Sequence, residues 1–450
     1  MTIIHLGRQR KRGASWLAAE KSTVKPRRLD WVYATLPVNI ALGPVGTFVQ
    51  LYLLQLNGVQ AGTVYVAAAV TAFNAVSIPA AIIWGFATDR LRKRKLVIVV
   101  SYAVTTVFLF SFFFSDSNSG IIFVYSLVSF ISAASATPLN LLIMESEQKS
   151  RWASGFARLS LVSSVGATIG YVLCSVWVQF LPVIWLVIPF GVLSLVSVAM
   201  SIVLVQEPPY TFEREVVVMQ RPSFLQRLVA FPLFFLNIPR PSDFRRLFKG
   251  IRNELTSYVP LLYLSIILFY LGSGVFNTSF VPALSDHSLT ESEVYAVSVA
   301  ALVAQILAFR YAGRYIANRS LVGVAVQTLL LRGGAYALLG VASLLVPGVL
   351  FTIPALIFYP LSSGIAYGIY YTASNTMIFD SVKGSHHGSS LGVYSAVVGV
   401  STTFGSFASG LTSHYLGFDF SFVIAGGLLV AAAFITATLS REKSSEQKSA

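Results

Sequence analysis

Gly85-Phe86-Ala87-Thr88-Asp89-Arg90-Leu91-Arg92-Lys93-Arg94 separates an apolar run over 63–87 from another over 96–114. Each run is long enough to cross a bilayer, which takes roughly 20 apolar residues for ~30 Å of hydrocarbon. The stretch between them carries Arg90, Arg92, Lys93 and Arg94 around a lone acid, Asp89. Basic residues flanking spans stay on the cytoplasmic side, so this loop orients its neighbours as well as joining them.

Outward from this loop the same pattern repeats. The chain has 450 residues, 55% hydrophobic and 11% charged, with a mean hydropathy of +0.72. That is far from the quarter-charged composition of soluble domains. Apolar runs over 31–56, 63–87, 96–114, 120–143, 153–177 and 182–205 precede a polar stretch, and runs over 259–282, 292–312, 321–343, 349–372, 390–412 and 419–440 follow it. Twelve transmembrane helices are expected, in an all-α integral membrane protein. The domains read as a basic tail (1–30), a six-helix bundle (31–205), a linker (206–258), a second six-helix bundle (259–440) and a short C-terminal tail (441–450).

Charge placement supports the count. The segments near 57–62, 115–119, 178–181, 283–291, 344–348 and 413–418 contain no Lys or Arg, although Asp116, Asp286 and Glu291 lie there. The opposite side holds the N-terminal tail, Arg90–Lys95, Lys149, Arg151, the linker, Arg310–Arg319, Lys383 and Arg441–Lys448. Both termini are therefore expected in the cytoplasm of a multi-pass plasma-membrane protein. The net charge of +14 reads as topology and contact with anionic inner-leaflet lipid, without nucleic acid. The tail lacks a secretory signal pattern, so the first span is expected to drive insertion. The single cysteine, Cys174, rules out a disulfide framework. In the linker, Phe244, Leu247, Phe248, Ile251 and Leu255 share one helical side opposite Arg245, Arg246, Lys249 and Arg252, which suits a helix on the inner leaflet or docked on the bundle.

The halves echo each other. Asn39, Gly43, Gly46 and Gln50 in the first span share their spacing with Tyr270, Gly274, Asn277 and Val281 in the seventh, 231 residues later. Val64-Tyr65 matches Val294-Tyr295, and Asn140 with Glu145 matches Asn375 with Asp380. Such offsets indicate a duplicated six-span unit, whose interface is where transporters place their substrate path.

The loop that begins at Gly85 resembles the signature of the major facilitator superfamily, G-x-x-x-D-R-x-G-R-R, with Arg92 where the family has its second glycine. Its second-half cognate runs from Gly313 to Arg319, and Glu145, Arg151, Gly155 and Arg158 resemble the family's segment joining helices four and five. The resemblance covers roughly residues 31–440 and implies two pseudo-symmetric six-helix bundles. It implies a secondary transporter moving a small organic solute by alternating access, monomeric and without cofactor or metal. It further implies an inner gate of Gly85, Asp89, Arg90, Arg94, Glu145 and Arg158. Gly85 is expected to let helix two approach a neighbour closely. Spans one, four, seven and ten line the cavity in this family, so the resemblance offers Asn39, Gln50, Tyr125, Ser129, Ser132, Tyr270, Asn277, Tyr367 and Tyr370 to the solute. These are uncharged hydrogen-bonding groups with aromatic bodies, suited to a neutral or amphipathic molecule.

Other readings stay open at this point. Gly166 and Gly170 are more simply a helix-packing face than an antiporter motif, which weakens a proton-coupled drug antiporter. A transporter-like nutrient sensor without net flux is a further alternative. An enzyme would need a compact His, Asp, Glu or Cys set, and none has that spacing. His287 and His414 fall on the outer side and are expected to be solvated. Arg332 alone breaks the charge rule, close to the middle of span nine, with Thr328 and Tyr336 on its flanks and Gly333 and Gly334 leaving room beside it. It reads either as a site for an anionic group or as a structural arginine reaching for headgroups or backbone carbonyls.

Overall fold

The structure is a computed structural model that describes residues 29–91, 93–146, 152–206, 258–317, 319–381 and 387–449. The basic tail up to residue 28, the loop after Glu145 and the linker helix at 244–255 lie outside the described residues.

Apolar spans fold as helices because a backbone in lipid must satisfy its own hydrogen bonds. After a 3-10 turn, Leu29–Thr35, the N-terminal half comprises α1 (Leu36–Leu42), α2 (Val45–Leu91), α3 (Arg94–Ser111), α4 (Asn118–Ser146), α5 (Trp152–Trp177) and α6 (Val187–Leu204). The C-terminal half comprises α7 (Tyr258–Asp286), α8 (Glu291–Ala317), α9 (Leu321–Leu345), α10 (Thr352–Tyr359), α11 (Tyr367–Ser381), α12 (His387–Leu416) and α13 (Phe418–Ser449). Between α10 and α11 the chain continues as a π-helical segment, Pro360–Ala366. Pro360 brings no N–H to the helical ladder, and a wider turn accommodates the gap.

By length and composition, ten helical segments among the described residues can cross a membrane. The difference from twelve has two sources. Asp30–Gly85 counts once although it is 56 residues long. At ~1.5 Å per residue it would extend about 84 Å if straight, far beyond one bilayer. It is not straight, because Gly58 has φ 71° and ψ 170°. A Cβ placed on Gly62 would come within 3.0 Å of the Leu54 Cα, so residues eight apart are in contact and the chain doubles back at Gly58. The loop expected over 57–62 is thus a single-residue reversal that a β-carbon would strain. The second source is α12, which is not among the ten segments and packs against α2, α7 and α13. At its other end α2 runs on to Leu91, so Asp89 and Arg90 belong to its last turn rather than to a loop.

The duplication is visible in the packing. A Cβ at Gly170 in α5 would strike the carbonyl of Ile40 in α1, and one at Gly405 in α12 would strike the carbonyl of Leu271 in α7. Leu271 follows Ile40 by 231 residues and Gly405 follows Gly170 by 235, so the two halves repeat the same backbone-on-backbone approach. Gly43 lies against Ala167 in one copy, and Gly274 against Gly405 in the other. Small residues at these crossings let helices meet where lipid offers no hydrophobic drive for association. The halves join through α2 with α12 and α7, and through α5 with α8.

Candidate functional site

A cavity of about 300 Å³ lies in the N-terminal half between α1, α3, α4 and α5. Thr35, Asn39, Ser132, Ser135, Asn140 and Ser163 line it with Tyr102 and apolar side chains, and among the described residues no charged group lines it. The Thr35 carbonyl accepts a 2.7 Å bond from Asn39 Nδ2, which fixes the amide at the wall. Of the first-half residues expected to meet a solute, Asn39 and Ser132 line this cavity. Ser129 does not: it is 2% exposed, and its hydroxyl donates to the Phe73 carbonyl at 2.8 Å, clipping α4 to α2. Tyr125 is buried and stacks on Phe73 at 4.4 Å, with its hydroxyl over Gly46. Gln50 is also buried, and its Oε1 has no hydrogen-bond partner among the described residues.

In the C-terminal half, α7 is enclosed over most of its length. Between Ser265 and Leu284 the single exposed residue is Asn277. Asn277 is an amide that lipid would leave unsatisfied. Tyr270 and Tyr370 are buried instead of open: Tyr270 shares a 2.9 Å hydroxyl contact with Tyr394, and Tyr370 stacks on Phe269 at 4.1 Å. Tyr367 is half-buried and its ring lies nearly parallel to that of Phe269, 6.4 Å away.

Arg332 is 2% exposed and stays inside the bundle. Its Nε and Nη2 both donate to the Tyr336 hydroxyl, at 2.9 and 2.7 Å. The guanidinium faces the rings of Phe269 and Tyr367 at 4.7 and 5.1 Å. Thr328 is no partner, since its hydroxyl bonds back to Val324 and Ala325. The room expected at Gly333 is filled by α13, with the Gly426 carbonyl 2.9 Å from where a Cβ would sit. The reading of an arginine extended toward headgroups is therefore replaced by a buried one held by a phenol.

The two halves are latched at the end that carries Asp286, Glu291 and Asp419. Gln55 Nε2 donates to Glu291 at 2.8 Å, Ser175 and Ser292 each donate to the other's carbonyl at 2.9 and 2.8 Å, and Gln179 reaches Ser292 at 3.0 Å. Deeper in, Asn74 donates to Ser406 at 3.1 Å. At the opposite, basic end Tyr33 and Tyr371 are 45% and 39% exposed, Asn140 is exposed and Asn375 is half-buried.

A family model described as Major Facilitator Superfamily matches residues 33–350 and 262–450. The chain belongs to the major facilitator superfamily. Among solved structures it is similar to the nucleoside transporter NupG, with 13% identity, a TM-score of 0.62, and coverage of 90% of this chain and 98% of that one. The inward-open xylose transporter XylE from E. coli shares 11% identity, a TM-score of 0.66, and coverage of 90% and 94%. The human organic anion transporter MFSD10 shares 13% identity, a TM-score of 0.58, and coverage of 91% and 100%. At such identities these likenesses establish the fold alone. No curated protein matches the chain.

For this member of the superfamily, the signature loop takes a specific form. Arg94 is 6% exposed and donates from Nη1 to the Thr88 carbonyl at 2.7 Å, capping the end of α2. Among the described residues Gly85 is not a close-approach point, because a Cβ there would meet nothing within 4 Å. Arg158 donates to the Tyr33 hydroxyl at 3.1 Å and lies over its ring. The side chains of Asp89, Arg90 and Glu145 lie outside the described residues.

Sequence reasoning missed the latch residues and Asn74. An amide deep in span two carries the same signal that singled out Asn39, a polar group needing a partner in lipid. His287 was the other omission. Rather than being solvated, its ring stacks on Phe351 at 4.2 Å, with Nδ1 3.0 Å from the Ala283 carbonyl and Nε2 3.1 Å from the Ser343 carbonyl. Ser343 in turn donates to Asp419 at 2.8 Å, so one cluster ties α7, α9 and α13. His287→Phe keeps the stacking and loses the polar ties. It should lower stability by about 1–2 kcal/mol, measured as a fall in melting temperature of the detergent-purified protein.

Proposed function

We propose that the chain is a secondary transporter that moves a small organic solute across the plasma membrane by alternating access, with both termini cytoplasmic. The structure then represents its inward-facing state. One observation carries this reading: polar bonds latch the halves at the acidic end, through Gln55–Glu291 and Ser175–Ser292, while the uncharged cavity and Asn140 lie toward the basic end. Basic flanks make that open end cytoplasmic. Asn39, Ser132 and Asn277 offer hydrogen bonds without charge, which suits the polar parts of a solute. The named activities of the similar structures, on nucleosides, xylose and organic anions, support small organic solutes as the class.

The direct test is counterflow in proteoliposomes with xylose, uridine and benzoate. At least one should accumulate against its unlabelled form, and no exchange of any of them would count against a transporter. The gate assignment has its own test. Asp89→Asn should slow counterflow by roughly 10- to 100-fold, the loss expected when a charge-assisted bond worth ~1.5–3 kcal/mol is removed, with membrane insertion unchanged. Full activity in that variant would remove Asp89 from the gate.

A further inference from the structure

The buried arginine has an unanswered side. Arg332 is 2% exposed, and its Nε and Nη2 are taken by one acceptor, the Tyr336 hydroxyl. Its Nη1 is buried without a hydrogen-bond partner among the described residues. An ion in a low-dielectric interior is stabilised by an opposite charge or several hydrogen bonds, and rings supply neither in full. The guanidinium is nonetheless surrounded by ring faces: Phe269 at 4.7 Å, Tyr367 at 5.1 Å and Tyr336 at 5.3 Å.

These rings continue toward the open end. Tyr367 stacks on Tyr371 at 5.8 Å, and Tyr371 is 39% exposed. A series of ring faces thus leads from an accessible tyrosine to a cation with two free N–H groups on Nη1. The arrangement has the chemistry of a receptor for a planar organic anion.

We propose that Arg332 Nη1 receives the carboxylate of an aromatic monocarboxylate, whose ring joins the aromatic group that runs from half-buried Tyr367 to exposed Tyr371. This rests on the transporter reading and deepens it, because it names the solute's charged group. A single positive charge is matched by a single negative one, and a carboxylate accepts from both Nη1 hydrogens. Aromatic walls favour an organic body over a hydrated inorganic ion.

The test uses full-length purified protein and four probes: benzoate, its uncharged amide benzamide, phenyl phosphate and sodium chloride. Binding is read by calorimetry and by thermal shift, and transport by benzoate counterflow in proteoliposomes. Benzoate should bind at least about tenfold more tightly than benzamide and than phenyl phosphate, with chloride inert. Arg332→Gln should abolish the preference for benzoate over benzamide, and Arg332→Lys should keep part of it. The contrast between benzoate and benzamide on the unaltered protein decides the matter even where a variant does not fold. Equal binding of benzoate and benzamide would overturn the proposal, leaving Nη1 to a water molecule. A phenyl phosphate preference, a chloride response equal to that of benzoate, or no binding of any probe would overturn it too. Counterflow of xylose or uridine without benzoate binding would remove the anion site and leave the transporter. Benzoate binding without counterflow of any solute would keep the site and remove the transporter.

Discussion

Joining Ser175→Cys to Ser292→Cys, in a Cys174→Ala background, should cut transport to under about a tenth of its starting rate once the disulfide forms, because the rocking motion needs this latch to part. The two serine hydroxyls lie 3.1 Å apart, and each also reaches the other's backbone carbonyl. Their β-carbons are therefore near the ~3.5–4.5 Å that a disulfide spans. Either cysteine alone should leave transport intact, and a thiol reductant should restore the doubly substituted protein. Spin labels at the basic end should show the cross-linked protein held open there, with or without solute. Complete cross-linking with undiminished transport would rule out alternating access for this chain, whatever its solute.

The second large effect concerns folding. Gly170→Leu and Gly405→Leu should each lose most of the folded protein, since the added side chain has backbone, not a movable side chain, in its way. Overpacking of a filled core costs about 1–3 kcal/mol, and here neither helix of the pair can yield without opening a half. The control is Gly427→Leu in α13, where a Cβ meets nothing within 4 Å among the described residues. That substitution should change stability by less than about 0.5 kcal/mol. Size-exclusion profiles of the solubilised variants, with melting temperatures for whatever remains monodisperse, measure both. Equal loss in the two halves would also show that the duplicated contact matters equally in each copy. Normal profiles for Gly170→Leu would mean that α1 and α5 can separate at no cost.

Part of the cavity was legible in advance for a physical reason. Asn39 is an amide inside an apolar span, lipid gives such a group nothing to bond, and it lines the cavity. Ser129, Tyr270 and Tyr370 carry polar atoms as well, yet each is buried by a partner on another helix: Phe73, Tyr394 and Phe269 respectively. Hydroxyl groups can be satisfied by one neighbour, and the identity of that neighbour is not written in local spacing.

Hydropathy alone determined that this chain crosses the membrane many times, and the placement of charge gave the side on which each loop is expected. These properties follow from the cost of moving single residues into lipid, which depends on residue type and position and needs no knowledge of neighbours. Tertiary structure alone decided the rest. That Gly58 replaces a loop, that Ser175 meets Ser292, and that Arg332 turns to Tyr336 with Nη1 left over depends on helices meeting in three dimensions. In lipid, where apolar faces are interchangeable, close packing and a few polar bonds choose which helices meet, and those choices join residues far apart in sequence.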